Sequence, residues 1–145
     1  MGRVNSGLMS SKSDEWTTPR ELFDKLNRRF LFTLDAAATD ENHLCEKYYT
    51  KEQNGLNQSW AGERVFCNCP YSQIKDWTLK FCLESLHTDC LVALVPARTD
   101  TKWFQYLFNS ADKIVFIKGR LKFGDGKGSA PFPSALAIWM GLHEF

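Results

Sequence analysis

The sequence has no apolar run close to the roughly 20 residues that a membrane-spanning helix requires. Residues 1–13 are polar and lack the apolar core of a signal peptide, so we expect a loose leader followed by a single domain over residues 14–145. With 43% hydrophobic and 24% charged residues, the composition is typical of a soluble globular domain.

The chain also lacks the cysteine pattern of a disulfide framework, because its five cysteines are an odd number. This favours a reducing, cytoplasmic setting. On paper, His43, Cys45, Cys67 and Cys69 could form the zinc site of a small adaptor protein. The one-residue gaps in His-x-Cys and Cys-x-Cys are shorter than the usual spacing of zinc ligands, however. We therefore expect no metal, and thiols that pack as small hydrophobic groups.

An excess of charge of one sign is absent too, since the net charge is +1 and does not by itself indicate a nucleic-acid-binding protein. The charges are unevenly distributed along the chain. Residues 35–63 contain two basic and six acidic side chains. Because these acids would repel phosphates, any contact with DNA is expected from the ends of the chain.

Apolar runs alternate with segments of helical periodicity along the chain. The predicted strands cover residues 30–37, 64–69, 90–95, 113–117 and 134–140. Predicted helices begin near Pro19, Thr39, Ser72 and Asp100. Residues 48–60 are predicted to form a loop with at most a very short strand. This alternation predicts an α/β fold with a mostly parallel sheet, whose last two strands pair antiparallel because no helix separates them.

Polar residues follow three of the predicted strands. Asp35 ends the first strand and Asn68 the second, while Arg98 and Asp100 follow the third. Ligands of parallel α/β sheets bind beyond the carboxyl ends of the strands. We therefore expect these residues to meet in one crevice. The alternatives are that Asp35 caps the next helix and that Arg98 and Asp100 form a local ion pair or helix cap.

The motif Asn68-Cys69-Pro70-Tyr71 carries the most specific chemistry. An exocyclic amine of adenine or cytosine is a poor nucleophile, because its lone pair is delocalised into the ring. Two acceptors on its hydrogens, the Asn68 side-chain oxygen and the Cys69 carbonyl, would free that lone pair. Pro70 restricts Cys69 to extended conformations, and Tyr71 would stack on a base flipped out of the duplex. The alternative is a strand-end turn with a packed tyrosine.

The chain resembles the small phage-type DNA N6-adenine methyltransferase (Dam) family in several motifs that follow one another in the expected order over residues 14–139. Those motifs are Asp14-Glu15-Trp16-Thr17-Thr18-Pro19, Phe32-Thr33-Leu34-Asp35-Ala36-Ala37, Asn54-Gly55-Leu56 with Trp60, Asn68-Cys69-Pro70-Tyr71, Leu94-Val95-Pro96-Ala97-Arg98-Thr99-Asp100-Thr101 with Trp103-Phe104, Gly119-Arg120-Leu121-Lys122-Phe123 and Ala130-Pro131-Phe132-Pro133-Ser134.

The resemblance implies a compact Rossmann-like fold that transfers a methyl group from S-adenosylmethionine to adenine N6 in DNA, expected to be double-stranded. The surplus of aromatic residues in the predicted helix from Trp103 to Phe108 leaves room for a homodimer interface. The resemblance also implies a phage protein with a role in protecting DNA from restriction. The implied catalytic residues are Asn68, Cys69, Pro70 and Tyr71, and the implied cofactor-binding residues are Trp16, Thr18, Pro19, Asp35, Ala36 and Asn68. Contacts to DNA are expected from Ser72, Arg98, Thr99, Lys102, Arg120 and Lys122.

Two departures from the family pattern keep other functions open. Cys69 stands where the family usually has proline, and Ala36-Ala37-Ala38 stands where glycines are common. We expect a retained activity that Cys69 weakens or retunes. The alternatives are methylation of cytosine N4 or of an RNA base, and a catalytically impaired relic that only binds nucleic acid.

Overall fold

A computed structural model describes residues 16–123 and 128–141 of the chain. The six strands are β1 Leu34–Asp35, β2 Lys47–Tyr48, β3 Arg64–Cys67, β4 Cys90–Pro96, β5 Lys113–Phe116 and β6 Ser134–Trp139. The α-helices of the described residues are α1 Arg20–Phe30, α2 Ile74–Glu84 and α3 Lys102–Ser110, and 3-10 turns lie at Gly55–Asn57 and Tyr71–Gln73. Over these residues, no helix has both the length and the apolar character to cross a membrane.

The strands form one sheet in the order β2-β1-β3-β4-β6-β5. Strands β2, β1, β3 and β4 pair in parallel. Strand β6 lies between β4 and β5 and is antiparallel to both. The predicted α/β fold with a mostly parallel sheet and an antiparallel C-terminal pair is therefore confirmed. The parallel strands end at the same edge of the sheet, which we call the carboxyl edge.

Apolar residues cover both faces of the sheet. On one face, α2 and α3 contribute Trp77, Phe81, Phe104 and Leu107 to a core with alternate residues of β3 and β4. On the other face, the core contains residues of α1 and of the segment before β6. All seven residues of β4 are consequently buried. Burial of both faces explains why this strand is a continuous apolar run rather than an alternating one.

Helix α1 forms as its apolar spacing predicts. Pro19 occupies the position before Arg20 with a φ of −58°, which suits a helix start. Phe23 and Phe30 are buried on the predicted face. The helix ends where Leu31 adopts a left-handed conformation, with a φ of 52°, and donates its N–H to the Asn27 carbonyl.

Two predictions for the region after α1 are wrong. The strand predicted over residues 30–37 covers only Leu34–Asp35. Phe30 is buried as the last residue of α1, so it belongs to the helix and not to the strand. No helix begins at Thr39. The Thr39 hydroxyl instead accepts the Asn42 N–H at 2.9 Å and closes a turn. Such local side-chain bonds compete with helix formation.

Other boundaries shift by a few residues. Thr101, not Asp100, caps α3 by accepting the Phe104 N–H at 3.2 Å. Helix α2 begins at Ile74 rather than Ser72, since the chain first makes the 3-10 turn Tyr71–Gln73. The very short strand allowed within residues 48–60 overlaps β2 at Tyr48 only, since β2 begins one residue before that range. The glycine-rich loop predicted over residues 119–128 lies partly outside the described residues, and its flanks pair through Lys122 and Ser129.

Gly55 lies in the loop before β3 and packs closely against residues at the carboxyl edge. A β-carbon at this position would lie 2.3 Å from the Ala36 carbonyl oxygen and 3.0 Å from Cη2 of Trp77. The Gly55 carbonyl also accepts the indole N–H of Trp60 at 3.1 Å. Only a residue without a side chain lets these segments approach so closely.

We therefore predict that Gly55→Ala lowers the free energy of unfolding by about 1–3 kcal/mol, the usual cost of overpacking. Urea unfolding checks this. Gly62→Asn is the matched control, because a β-carbon at Gly62 meets nothing within 4 Å and asparagine tolerates its φ of +75°. A Gly55→Ala protein as stable as Gly62→Asn contradicts the close-approach account.

Candidate active site

A cleft of about 790 Å³ lies at the carboxyl edge, a size within the range of small-molecule sites. It is bordered by the ends of β1 and β3, the segment before α1 and the first turn of α2. Its lining includes seven residues of the sequence predictions: Trp16, Thr18, Asp35, Ala36, Asn68, Pro70 and Ser72. The predicted convergence of the first two strand ends is therefore confirmed. A second cleft, of about 610 Å³, surrounds β2 and contains none of the predicted site residues.

Asn68 connects the end of β3 to the segment before α1. Its amide nitrogen donates to the main-chain carbonyl of Trp16 and to the Thr18 hydroxyl, the latter at 3.0 Å. Its side-chain oxygen accepts the Tyr71 hydroxyl at 3.0 Å. The amide is thus held by partners on both sides. Burial raises the pKa of Tyr71 well above its ordinary value, so its hydroxyl stays a donor.

Tyr71 belongs to an aromatic cluster, which we define as Trp16, Tyr71, Phe123 and Phe132. Phe132 packs edge-on against Tyr71 and Trp16, with ring centroids 5.6 and 5.3 Å apart, and Trp16 also contacts Phe123 at 5.2 Å. Phe123 and Phe132 lie in motifs that resemble those of the family, but no role at the site was predicted for these two residues. Their hydrophobicity is indistinguishable from that of core residues, and the fold alone brings them to Tyr71.

Asp35 is a buried carboxyl group at the end of β1. Its two oxygens accept the N–H groups of Leu44, at 3.0 Å, and Ala37, at 3.4 Å. It therefore organises a turn rather than capping a helix. Burial raises the pKa of Asp35, and the two N–H groups lower it. The effect of burial is larger, so the pKa lies at about 6.

The floor of the cleft is formed where Ala36, Gly55 and Trp77 meet. Trp77 is 4% exposed, and its indole N–H has no acceptor among the described residues. Buried donors normally have a partner. Trp77 appeared in the sequence only as an apolar residue of α2, so its donor group was not identified there.

The third strand end does not join the cleft. The chain leaves β4 at Pro96, and the Ala97 N–H donates to the Pro133 carbonyl, which directs the chain toward the segment just before β6. Arg98 and Asp100 do not line the cleft, so the prediction that all three strand ends share one crevice is corrected. Arg98 instead lies over the Phe132 ring, 5.9 Å from its centroid, and borders the aromatic cluster.

The remaining predicted DNA contacts lie near the same edge. Thr99 and Lys102 follow β4, and Arg120 and Lys122 follow β5, which runs parallel to β4 through its pairing with β6. All four residues are exposed. Arg120 donates to the Ala130 carbonyl at 3.3 Å, so it also fixes the segment that carries Phe132.

The four proposed zinc ligands have other surroundings. Nδ1 of His43 donates to the Cys45 carbonyl at 2.9 Å, and the His43 ring stacks on Tyr48. Cys45, Cys67 and Cys69 are buried thiols, as expected, and so is Cys90, while Cys82 is partly buried. Over residues 16–123 and 128–141, no three His, Cys, Asp or Glu side chains are grouped so that they could hold a metal ion.

The fold defines a Rossmann-like α/β protein, and its candidate site is the cleft at the carboxyl ends of β1 and β3. A model of the family "DNA N-6-adenine-methyltransferase (Dam)" matches residues 5–137. The chain belongs to this family of methyltransferases, which confirms the resemblance.

Two relatives carry the same description. The DNA N-6-adenine-methyltransferase of Haemophilus phage HP1 is 33% identical over an alignment of 163 positions, which covers 97% of this chain and 94% of the relative. That of Escherichia phage T1 is 36% identical over 110 residues. The second alignment covers 74% of this chain but only 46% of the relative, so the chain spans less than half of that protein.

Because its pKa is raised above the ordinary value of 3.8, Asp35 binds its proton more tightly in the folded than in the unfolded state. Its contribution to stability is therefore fully present below about pH 4 and decreases as the pH rises to about 6. A shift of about two units corresponds to a loss of about 3 kcal/mol.

We predict that this loss is absent from Asp35→Asn. As the pH rises from 4 to 7, the free energy of unfolding of the parent should decrease relative to that of Asp35→Asn. The control is Asp76→Asn, which changes an exposed carboxyl group on α2 and should leave the parent's pH dependence intact. Parallel curves for the parent and Asp35→Asn would show that Asp35 ionises normally.

Proposed function

We propose that this protein transfers a methyl group from S-adenosylmethionine to the N6 amino group of adenine in DNA. The observation that carries the proposal is the Asn68 amide, held with a defined orientation beside a cleft of cofactor size, in a chain that belongs to the Dam family. S-adenosylmethionine supplies an electrophilic methyl group when bound.

The cleft fits such a ligand. The Asp35 carboxylate offers an acceptor for hydroxyl groups, and the buried indole N–H of Trp77 offers a donor for an acceptor atom. Thr18 and Ala36 line the same space. We assign cofactor binding to these residues and to Trp16, whose ring belongs to the aromatic cluster at one side of the cleft. The Thr18 hydroxyl is already bonded to Asn68, so Thr18 would contribute packing contact rather than a hydrogen bond to the cofactor. Pro19 acts indirectly, since it positions the start of α1.

Asn68 and Cys69 provide the acceptors for the target amine. The Asn68 oxygen and the Cys69 carbonyl would each accept one N–H of adenine N6, which directs the nitrogen lone pair toward the methyl group. Positioning of the two reactants supplies most of the acceleration. After transfer the nitrogen loses one proton to water, so the reaction requires no strong base from the chain.

Cys69 should keep this acceptor, and it lacks only the restricted φ angle of the usual proline, the feature through which it would weaken or retune the activity. Cys69 is 2% exposed, and Pro70 restricts its backbone to extended conformations. The acceptor is a main-chain carbonyl, which both residues possess.

Tyr71 and the basic residues at the carboxyl edge form the proposed path of the DNA. Tyr71 would stack on the flipped adenine, and the exposed Ser72, Arg98 and Thr99 lie close by in the chain or the fold. Lys102, Arg120 and Lys122 would contact phosphates. This arrangement places basic groups on the side of the site opposite the acidic segment 35–63.

The first test is transfer of labelled methyl groups to unmethylated duplex DNA. Asn68→Ala should reduce the rate by at least about 100-fold, because it removes an acceptor that acts on the reacting atom. Asn109→Ala, an exposed substitution on α3, is the matched control and should keep the parent's rate. Equal rates for the parent and Asn68→Ala would exclude the proposed mechanism. A folded parent that binds DNA but transfers nothing would favour the impaired relic.

A second test concerns the DNA path. Lys102→Ala should raise the KM for DNA several-fold and reduce the salt dependence of binding by about one phosphate contact. Lys113→Ala is the matched control, because Lys113 starts β5 at the opposite edge of the sheet. If both variants weaken DNA binding equally, the carboxyl edge is not the DNA-binding surface.

A further inference from the structure

The orientation of the Asn68 amide is set by the segment before α1. A main-chain carbonyl can only accept hydrogen bonds, so the Trp16 carbonyl requires the NH₂ side of the amide to face it. The Thr18 hydroxyl accepts a second bond from the same nitrogen at 3.0 Å. The amide oxygen is thereby turned to the other side, where Tyr71 donates to it.

We propose that Thr18 is a positioning residue that, with the Trp16 carbonyl, holds Asn68 in the orientation needed for catalysis. This inference rests on the proposed function, and it gives Thr18 a task that differs from cofactor binding. A side-chain amide that rotates by 180° exchanges its oxygen and nitrogen. The reversed amide would present N–H groups to an amine that itself donates, and the acceptor would be lost.

The bonds on both sides leave room for the substrate. An amide oxygen has two lone pairs, and the Tyr71 hydroxyl uses one of them. The second lone pair remains for the target amine. Three partners therefore fix the plane of the amide while one acceptor site stays available.

Helix packing keeps Thr18 in place, although it lies 50 residues from Asn68 in the chain. Phe23 of α1 packs edge-on against Phe66 of β3, with ring centroids 5.3 Å apart. Pro19 joins the helix to Thr18 with a restricted backbone. Thr18 is only 7% exposed, so water cannot readily replace its hydroxyl.

The test compares Thr18→Val, which removes the hydroxyl, with Thr18→Ser, which keeps it. With both substrates saturating, Thr18→Val should lower kcat by roughly 10- to 100-fold, the cost of a small misplacement of a reacting group. Its Kd for S-adenosylmethionine should stay within about threefold of the parent's, because its proposed role is exerted through Asn68. Thr18→Ser should restore most of the parent's kcat. Thr88→Val, at another buried threonine, is the control for folding.

Two results would overturn the inference: an unchanged kcat in Thr18→Val, or a loss confined to cofactor affinity. A measurement that needs no activity is NMR of the Asn68 side-chain amide protons. They should exchange slowly with water in the parent and in Thr88→Val, and faster in Thr18→Val. A parent that transfers no methyl groups refutes the proposed function. Asn68 amide protons whose exchange rate is the same in the parent and in Thr18→Val refute the positioning role.

Discussion

The hydrogen bonds around the Asn68 amide are the constraint on which the site depends. They tie the end of β3 to a segment 50 residues earlier in the chain, and Tyr71 adds a local bond from the following turn. The bonds can form only if α1 packs on the sheet face that carries Phe66. Packing of α1 on that face therefore also determines the orientation of the Asn68 amide.

The cleft and the surface beside Tyr71 differ in chemical character. In the cleft, Asp35 and its turn provide buried acceptors, and burial raises the pKa of this carboxyl group. Beside Tyr71, Phe132 packs edge-on against its ring, and the exposed Arg98 lies over Phe132. The proposed function assigns the small polar ligand to the cleft and the flipped base to this neighbouring surface. Asn68 lines the cleft and accepts the Tyr71 hydroxyl, so it lies where the two regions meet.

The fold class followed from the sequence because strand and helix periods are local properties. The motif Asn68-Cys69-Pro70-Tyr71 was recognised for the same reason, since its four residues are consecutive. The hydrogen bond that Asn68 donates to Thr18 and the contact of Phe132 with Tyr71 join distant segments, which no local pattern encodes. The helix expected at Thr39 failed because the side chain of Thr39 itself closes a turn, and the backbone N–H of Leu44 is used by Asp35. Arg98 follows its strand as expected, but backbone pairing toward Pro133 carries it past the cleft.

The central claim is that the Asn68 site methylates adenine N6, and the identity of the product tests it most directly. Duplex DNA incubated with the protein and S-adenosylmethionine should be digested to nucleosides and analysed by mass spectrometry and chromatography. The account predicts N6-methyldeoxyadenosine as the methylated nucleoside. N4-methyldeoxycytidine in its place, or methylation of RNA but not DNA, would contradict it.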